Sequence, residues 1–300
     1  MLSKPLIYLN GDIVETADAR ISPFDRGFLW GDGVYEITPL FDGRLFRLDD
    51  HLDRLYRSLR YVRIDPSMDQ TAMAAATLEV LAANASRLEP GGMYRVGHWI
   101  TRGVDTNSMG ALSAGPATVM IFFRAVDVEA IARNQVSGLR LSVTATRRNP
   151  PECIEARAKV TSKMNQILAE LDAASNDALS LMLDIRGNVA ENSVANFFIV
   201  RNDTVWTPPE RNILEGVTRI VVFELCKRLG IPIEERDFTM YDVSQAQECF
   251  LTSSAICAMP VREIDSFRPS LELPGPVTSQ LIGAFAAETG FDFAKLPKAA

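Results

Sequence analysis

Two lysines four residues apart, Lys159 and Lys163, stand in the stretch EARAKVTSKMNQILAELDA of a chain that has only six. Lys4, Lys295 and Lys298 lie near the chain ends. Lys227 sits beside Arg228 at a predicted helix C-terminus, where the helix dipole favours a solvated cation. Lys159 and Lys163 straddle the entry to a helix that Thr161 or Ser162 would cap. A lysine at the mouth of a site, partly desolvated and near other cations, has its pKa lowered, and its neutral amine can form a Schiff base. Two solvated surface lysines are the alternative, and spacing alone does not separate the two readings.

Other residues offer an anion site. In LEGVTRIVVFEL, Val217 and Thr218 follow Gly216 at a helix start, where free N–H groups and the dipole suit a phosphate. LTSSA supplies Ser253 and Ser254 as hydroxyl donors, and Arg54, on an earlier helix, could add a two-pronged contact. The alternatives are an ordinary helix start, an ordinary turn and a solvated helix face. Glu191, in GNVAENSVANFFIV, reads as lying on an apolar strand, where a carboxylate needs a partner. A protonated pyridine nitrogen would be one; an edge position facing water is the other reading. His51, three residues before Arg54 on one helix face, reads as support for that helix rather than as an acid or base.

The elements that must hold these groups alternate without repeats. LIYLNGDIVE and VYEITPLFDGRLFRL each read as strand, turn and strand, around Asn10-Gly11 and Asp42-Gly43. DDHLDRLYRSLRYVRI switches to helical spacing with Asp49 as N-cap, and QTAMAAATLEVLAANAS is a second helix. MYRVGHWITRG and ATVMIFFRAV are strands, with Met109, Met120 and the IFF phenylalanines as core. After residues 126–135, read as a connection, come further strands, the helix after Lys163, a helix ending at Gly230 and a last helix before a frayed tail. The fold class is α+β in two domains: a smaller one over 1–125, a linker over 126–135, and a larger one over 136–300. A net charge of −7 argues against a nucleic-acid partner. Four scattered cysteines and two histidines argue against a disulfide framework or a metal site. With no signal-like start and no membrane-length apolar run, the expected compartment is the cytoplasm.

The segments DRGFLWGDGVYE, FRLDDHLDRLYRS, RRNPPECIEARAK, GNVAENSVANFF, LEGVTR and FLTSSAICAMPV occur in that order. As an ordered set, spanning roughly Tyr8 to Asp265, they resemble the class IV, fold-type IV aminotransferases that use pyridoxal 5′-phosphate. Members include D-amino-acid and branched-chain amino acid aminotransferases, (R)-amine transaminases and aminodeoxychorismate lyases. The resemblance implies their two-domain fold, with the cofactor between the domains and a larger, α/β barrel-like C-terminal domain carrying most of its site. It also implies a homodimer.

Carried over by position, the resemblance implies Lys159, 32 residues before Glu191, as the Schiff-base lysine. Lys163 falls where relatives often carry tyrosine or another apolar residue, which is a departure. Arg54, Val217, Thr218 and Ser254 would hold the phosphate, and Glu191 the pyridine nitrogen. The implied reaction moves an amino group between an amino donor and a 2-oxo acid by a ping-pong cycle. A lyase acting on aminodeoxychorismate and a non-catalytic cofactor-binding protein are the rivals. The branched-chain Y-x-R strand motif is absent or shifted, since Arg95 and Gly97 occupy its register. The Pro-Arg-Ala-His anchor of one D-amino-acid type is also missing. The N-terminal domain looks closer to the D-amino-acid and (R)-amine members. Tyr35, Ile37 and Ala255 are candidate pocket residues, and His98 and Arg102, on a common strand face, are candidate carboxylate contacts.

Overall fold

The Asn10-Gly11 pair, with φ of 53° and 107°, turns β1 (Leu6–Leu9) back onto β2 (Asp12–Glu15). Asp42-Gly43, with φ of 45° and 75°, does the same between β3 (Gly33–Phe41) and β4 (Arg44–Leu45). Such left-handed pairs match the twist of a hairpin. With β5 (Met93–Thr101) and β6 (Thr118–Ala125) these strands form an antiparallel sheet in the order β2-β1-β6-β5-β3-β4. The computed structural model describes residues 5–105, 110 and 114–293, so Lys4, Met109, Lys295, Lys298 and the end of the tail lie outside the described residues.

One face of this sheet carries α2 (Leu48–Val62) and α3 (Gln70–Asn84), whose apolar residues close a core with Val34, Val96, Ile100 and Ile121. Helix α2 begins one residue before the expected cap. Arg47 occupies the N-cap position in the left-handed region with no side-chain cap, and Asp49 and Asp50 lie in the first turn, where the dipole favours them. The other face carries Tyr35, Trp99 and Phe122 in a row across three strands, with ring centroids 4.7 and 5.1 Å apart. The Phe122 ring rests on the Gly97 backbone, where a Cβ would sit 2.6 Å from it and push the ring aside. The short α1 (Arg26–Trp30) has too few residues to show a period in the sequence.

By compactness the chain divides into Met1–Val126 with Ala158–Lys163, and Asp127–Arg157 with Met164–Ala300. The inclusion of residues 158–163 in the first unit departs from an uninterrupted 136–300 and has a plain cause. Tyr35 N–H donates to the Lys159 carbonyl (3.0 Å), Thr161 N–H donates to the Gly33 carbonyl (2.9 Å), and Val160 bridges Val34. The lysine segment is a short antiparallel addition to the β3 edge. Thr161 is not a helix cap, since its hydroxyl donates to the Gly31 carbonyl (2.7 Å).

In the second unit, most of 126–135 is helix rather than connection. Asp127 caps α4 (Val128–Ser137) by accepting from Ala130 N–H. The strands are β7 (Leu139–Val143), β8 (Leu179–Leu181), β9 (Asn196–Arg201), β10 (Thr204–Thr207), β11 (Ile233–Glu235), β12 (Glu248–Ser253) and β13 (Ile256–Ile264), in the order β11-β10-β9-β12-β13-β7-β8. Beyond β8, isolated bridges Leu183–Val189 and Glu191–Asn196 lead back to the start of β9. Glu191 therefore sits at a bridge between strands, not within one. The helices are α5 (Met164–Ala174), α6 (Val217–Leu229), the short α7 (Met240–Val243) and α8 (Pro276–Thr289). Gly230 ends α6 in the left-handed conformation expected of it. No helix among the described residues is long and apolar enough to cross a membrane.

His98 points into the first unit's core, not toward a substrate. It is fully buried opposite Glu36 in register, with Nε2 2.9 Å from Thr77 Oγ1. The Thr77 hydroxyl already donates to the Met73 carbonyl (2.7 Å), so His98 must be the donor and carries its proton on Nε2. Burial pushes its pKa down to about 4. The unfolded chain therefore takes up this proton near pH 6.5 and the folded chain only near 4, so stability falls as pH drops through that window. His98→Asn should remove this component: about 3 kcal/mol of the wild-type loss between pH 7 and pH 4 should be missing in urea unfolding of the variant. Parallel pH profiles for the two proteins would refute the buried neutral imidazole.

Candidate active site

Strand alternation sends Glu36 inward between Tyr35 and Ile37, and its fully buried carboxylate meets Arg54 and His51 on α2. Arg54 donates through Nε to Oε2 (2.8 Å) and through Nη2 to Oε1 (2.6 Å), and His51 Nδ1 lies 3.0 Å from Oε1. Burial pushes the Glu36 carboxyl up, but the Arg54 guanidinium and His51 outweigh it and hold it well below the usual carboxylate range. Burial pushes the His51 imidazole down, offset only in part by Glu36. His51 thus supports the helix as a neutral donor. The Nε and Nη2 donors of Arg54, expected to meet a phosphate as two prongs, are spent on Glu36.

One turn on, Ser58 carries this order to Lys159. The Ser58 hydroxyl donates to the Arg54 carbonyl (2.9 Å) and accepts the Lys159 N–H (3.0 Å). The Lys159 carbonyl is held by Tyr35 N–H, and its ammonium lies 4.4 Å from the Tyr35 ring centroid. The Lys163 ammonium lies 5.9 Å from the same centroid. Ile37 is half-buried on the Tyr35 face, opposite Gly97. Arg102 is committed elsewhere. It donates to both Asp32 carboxylate oxygens (2.8 and 2.9 Å) and to the Arg63 and Val62 carbonyls, both 2.8 Å, fastening the end of α2. Its expected role as a carboxylate contact gives way to this fourfold clamp.

In the second unit, Glu191 is buried and both its oxygens are occupied. Arg148 Nε donates to Oε1 (2.9 Å), while Asn196 Nδ2 (3.2 Å) and Leu214 N–H (3.0 Å) donate to Oε2. Three donors, one of them cationic, converge on this carboxylate. Asn196 also donates to the Leu214 carbonyl (2.8 Å), which brings it against the start of α6. Gly216 must be glycine, since a Cβ would fall 2.1 Å from Asn196 Oδ1. Gly216 caps α6 without a side-chain acceptor, leaving the Val217 and Thr218 end of the helix suited to an anion. The Thr218 hydroxyl donates to the Ser253 carbonyl (2.9 Å), which fixes the half-buried Ser254 and the buried Ala255 beside that helix start. One acidic acceptor and one anion cradle, joined through Asn196, are a donor set that fits a phosphorylated pyridine.

The family profile described as Amino-transferase class IV matches residues 33–264. The chain belongs to the class IV aminotransferases. It is 35% identical over 278 residues to a putative branched-chain-amino-acid aminotransferase of Methanocaldococcus jannaschii, covering 92% of this chain and 93% of that one. It is 30% identical to a D-alanine aminotransferase of Listeria innocua, covering 94% and 95%. Among solved structures it resembles the T.th. branched-chain amino acid aminotransferase complexed with N-(5′-phosphopyridoxyl)-L-glutamate, with a TM-score of 0.85, 27% identity, and coverage of 97% and 96%.

Four residues of this class IV chain escape a reading of the sequence: Glu36, Ser58, Arg148 and Asn196. Only Glu36 left a signal, as an acid amid an apolar strand ahead of the His51–Arg54 pair. Removing the Glu36 charge should leave Arg54 buried and unpaired. Glu36→Gln is expected to cost on the order of 3–5 kcal/mol in chemical denaturation, with part regained in Glu36→Gln/Arg54→Met. A change within about 0.5 kcal/mol would show that the pair does not organise this unit.

Proposed function

We propose that this class IV aminotransferase uses pyridoxal 5′-phosphate to move an amino group between an amino acid and a 2-oxo acid, with Lys159 as the amine that carries the cofactor. The observation that carries this reading is the anchoring of Lys159. Its amide is held by Ser58, its carbonyl by Tyr35, and its ammonium lies over the Tyr35 ring. A fixed backbone limits where the side chain reaches, which a reacting amine requires.

When bound, the cofactor supplies an electron-withdrawing ring that stabilises negative charge at the substrate Cα. The chain's own residues bind and move protons around it. Glu191, fixed in place by its three donors, would accept a hydrogen bond from a protonated ring nitrogen. The Val217 and Thr218 N–H groups and the Ser254 hydroxyl would bind the phosphate, with the Arg54 guanidinium adding positive charge. Lys159 Nζ, once released, takes the proton from Cα and returns it on the other side of the exchange. Tyr35, Ile37 and Ala255 line the substrate region. The donor is drawn from D-amino acids and branched-chain amino acids, as the mixed relatives suggest, or from (R)-amines, as the N-terminal sequence motifs suggest, and pyruvate or 2-oxoglutarate serves as acceptor. A donor panel against those two acceptors selects among them.

The chain works in the cytoplasm as a homodimer. Met164, Ile167, Leu168 and Leu171 fall at helical spacing on α5 and are all exposed, at 64, 44, 47 and 64%. A face of that kind calls for a partner, and a second copy supplies one by symmetry. Leu171→Glu should shift the protein toward monomer in sedimentation; an unchanged mass would rule this face out.

Borohydride reduction of the holoenzyme followed by peptide mapping should label Lys159, and Lys159→Ala should lose both label and turnover while Lys163→Ala keeps the label. A label on Lys163 overturns the assignment. Initial rates should follow a ping-pong pattern and stop after one half-reaction without a 2-oxo acid. Sustained turnover without acceptor would favour the lyase, and an uncoloured, unlabelled protein the non-catalytic reading.

A further inference from the structure

Arg219 is 1% exposed and, among the described residues, heads the largest fully buried side chains, yet the proposed reaction has no use for it. It is the third residue of α6, where a cation opposes the positive end of the helix dipole. Its Nε is buried and finds no partner, which is costly. Two local rules broken at one side chain point to a compensating task. We propose that Arg219 is a positioning residue that clasps the loop leading into α6, and so sets the direction in which the Val217 and Thr218 N–H groups meet a phosphate. This rests on the reading of the α6 start as the phosphate end of the cofactor site.

The far end of the side chain gathers four pieces of the second unit. Nη2 donates to the Pro208 carbonyl (3.0 Å) and lies 2.9 Å from Glu235 Oε1. Nη1 donates to Glu210 Oε1 (3.3 Å). The guanidinium carbon lies 5.0 Å from the ring centroid of Phe223, one turn further along α6. Pro208 and Glu210 follow β10, and Glu235 ends β11, so a single group joins the edge of the sheet, the loop and the helix.

The loop needs such a clasp. It enters α6 through Gly216, which has no side chain to cap the helix and whose backbone tolerates many entry angles. Midway, Asn212 Nδ2 donates to Asp184 (3.0 Å) and Leu214 N–H donates to Glu191 (3.0 Å). Arg219 adds the tie between the beginning of the loop and the first turn of the helix. Glu210 and Glu235 offset the guanidinium charge, so what a phosphate gains from Arg219 is fixed geometry rather than attraction. Both acids are more than one-third exposed, at 37 and 38%, and can take up water when the guanidinium is removed. Methionine keeps the apolar stem in place, so Arg219→Met is expected to fold.

The test titrates pyridoxal 5′-phosphate and pyridoxal into cofactor-free protein of the full chain, following protein fluorescence. The proteins are wild type, Arg219→Met, Arg219→Lys and Glu210→Gln/Glu235→Gln. Both ligands offer the same ring and aldehyde, so the ratio of their Kd values isolates the phosphate. Arg219→Met should cut the preference for the phosphorylated ligand about ten- to a hundredfold, with the pyridoxal Kd changed less than about threefold. Arg219→Lys should recover little of it, because one ammonium cannot span the carbonyl and both acids. The double variant keeps Arg219 but loosens its hold, and should cut the preference about three- to tenfold. Should Arg219→Met not fold, the double variant decides by the same ratio. An unchanged ratio, or equal losses for both ligands, would overturn the proposal in favour of a purely structural role. Full recovery in Arg219→Lys would overturn it in favour of charge alone. Wild-type protein that binds both ligands equally would instead refute the phosphate reading of α6 and the proposal with it.

Discussion

The buried pair between Glu36 and Arg54 is the constraint on which the order of the first unit depends. Desolvating two charges is costly, and the cost is met only when both oxygens and the facing edge of the guanidinium are paired with good geometry. Here Nε and Nη2 meet both carboxylate oxygens, and His51 adds a neutral donor. The pair locks α2 to β3 in one register. Because Ser58 follows Arg54 by one helical turn and accepts the Lys159 amide, the same lock sets where the Lys159 backbone lies. A slip of β3 by one residue would send Tyr35 into the core and Glu36 out, undoing both arrangements at once.

The second unit uses a different device for the same end. Glu191 and the start of α6 are far apart in sequence, and Asn196 ties them by bonding to both Glu191 and Leu214. The missing side chain at Gly216 lets Asn196 sit that close. The Glu191 carboxylate and the approach to α6 are thereby held at a fixed separation by hydrogen bonds within this unit. Arg148 holds the other oxygen of the Glu191 carboxylate through its Nε.

The first unit's sheet shows how one strand can serve structure and chemistry together. Its inner face holds the ion pair, His98 and the helices; its outer face holds Tyr35, Trp99 and Phe122 in contact. The edge of β3 takes up residues 159–161 as a further short strand. A lysine remote in sequence is thus brought beside Tyr35 by main-chain hydrogen bonds, which are indifferent to side-chain identity. Tyr35 is left as the point where both lysines meet.

Local signals were legible in the sequence. Asn10-Gly11 and Asp42-Gly43 announced hairpins, the spacing of Leu52, Leu55 and Leu59 a helix, and Gly230 a helix end, because each rests on backbone preferences within a few residues. The ordered set of segments also pointed to the family, and with it to Lys159, Glu191 and the start of α6. Other outcomes depended on partners distant in the chain. His98 and Arg102 looked like carboxylate contacts by alternation, but Thr77 and Asp32 claim them. Residues 126–135 looked like a connection because α4 shows only a weak apolar stripe before it meets β13. Arg54 looked available to a phosphate until Glu36, one strand away, was seen to take its forked edge. The sequence by itself determined which groups of chemistry this protein carries; only the tertiary structure decided which stay available, because burial forces every charge to find a partner and that choice is made across the sheet rather than along the chain.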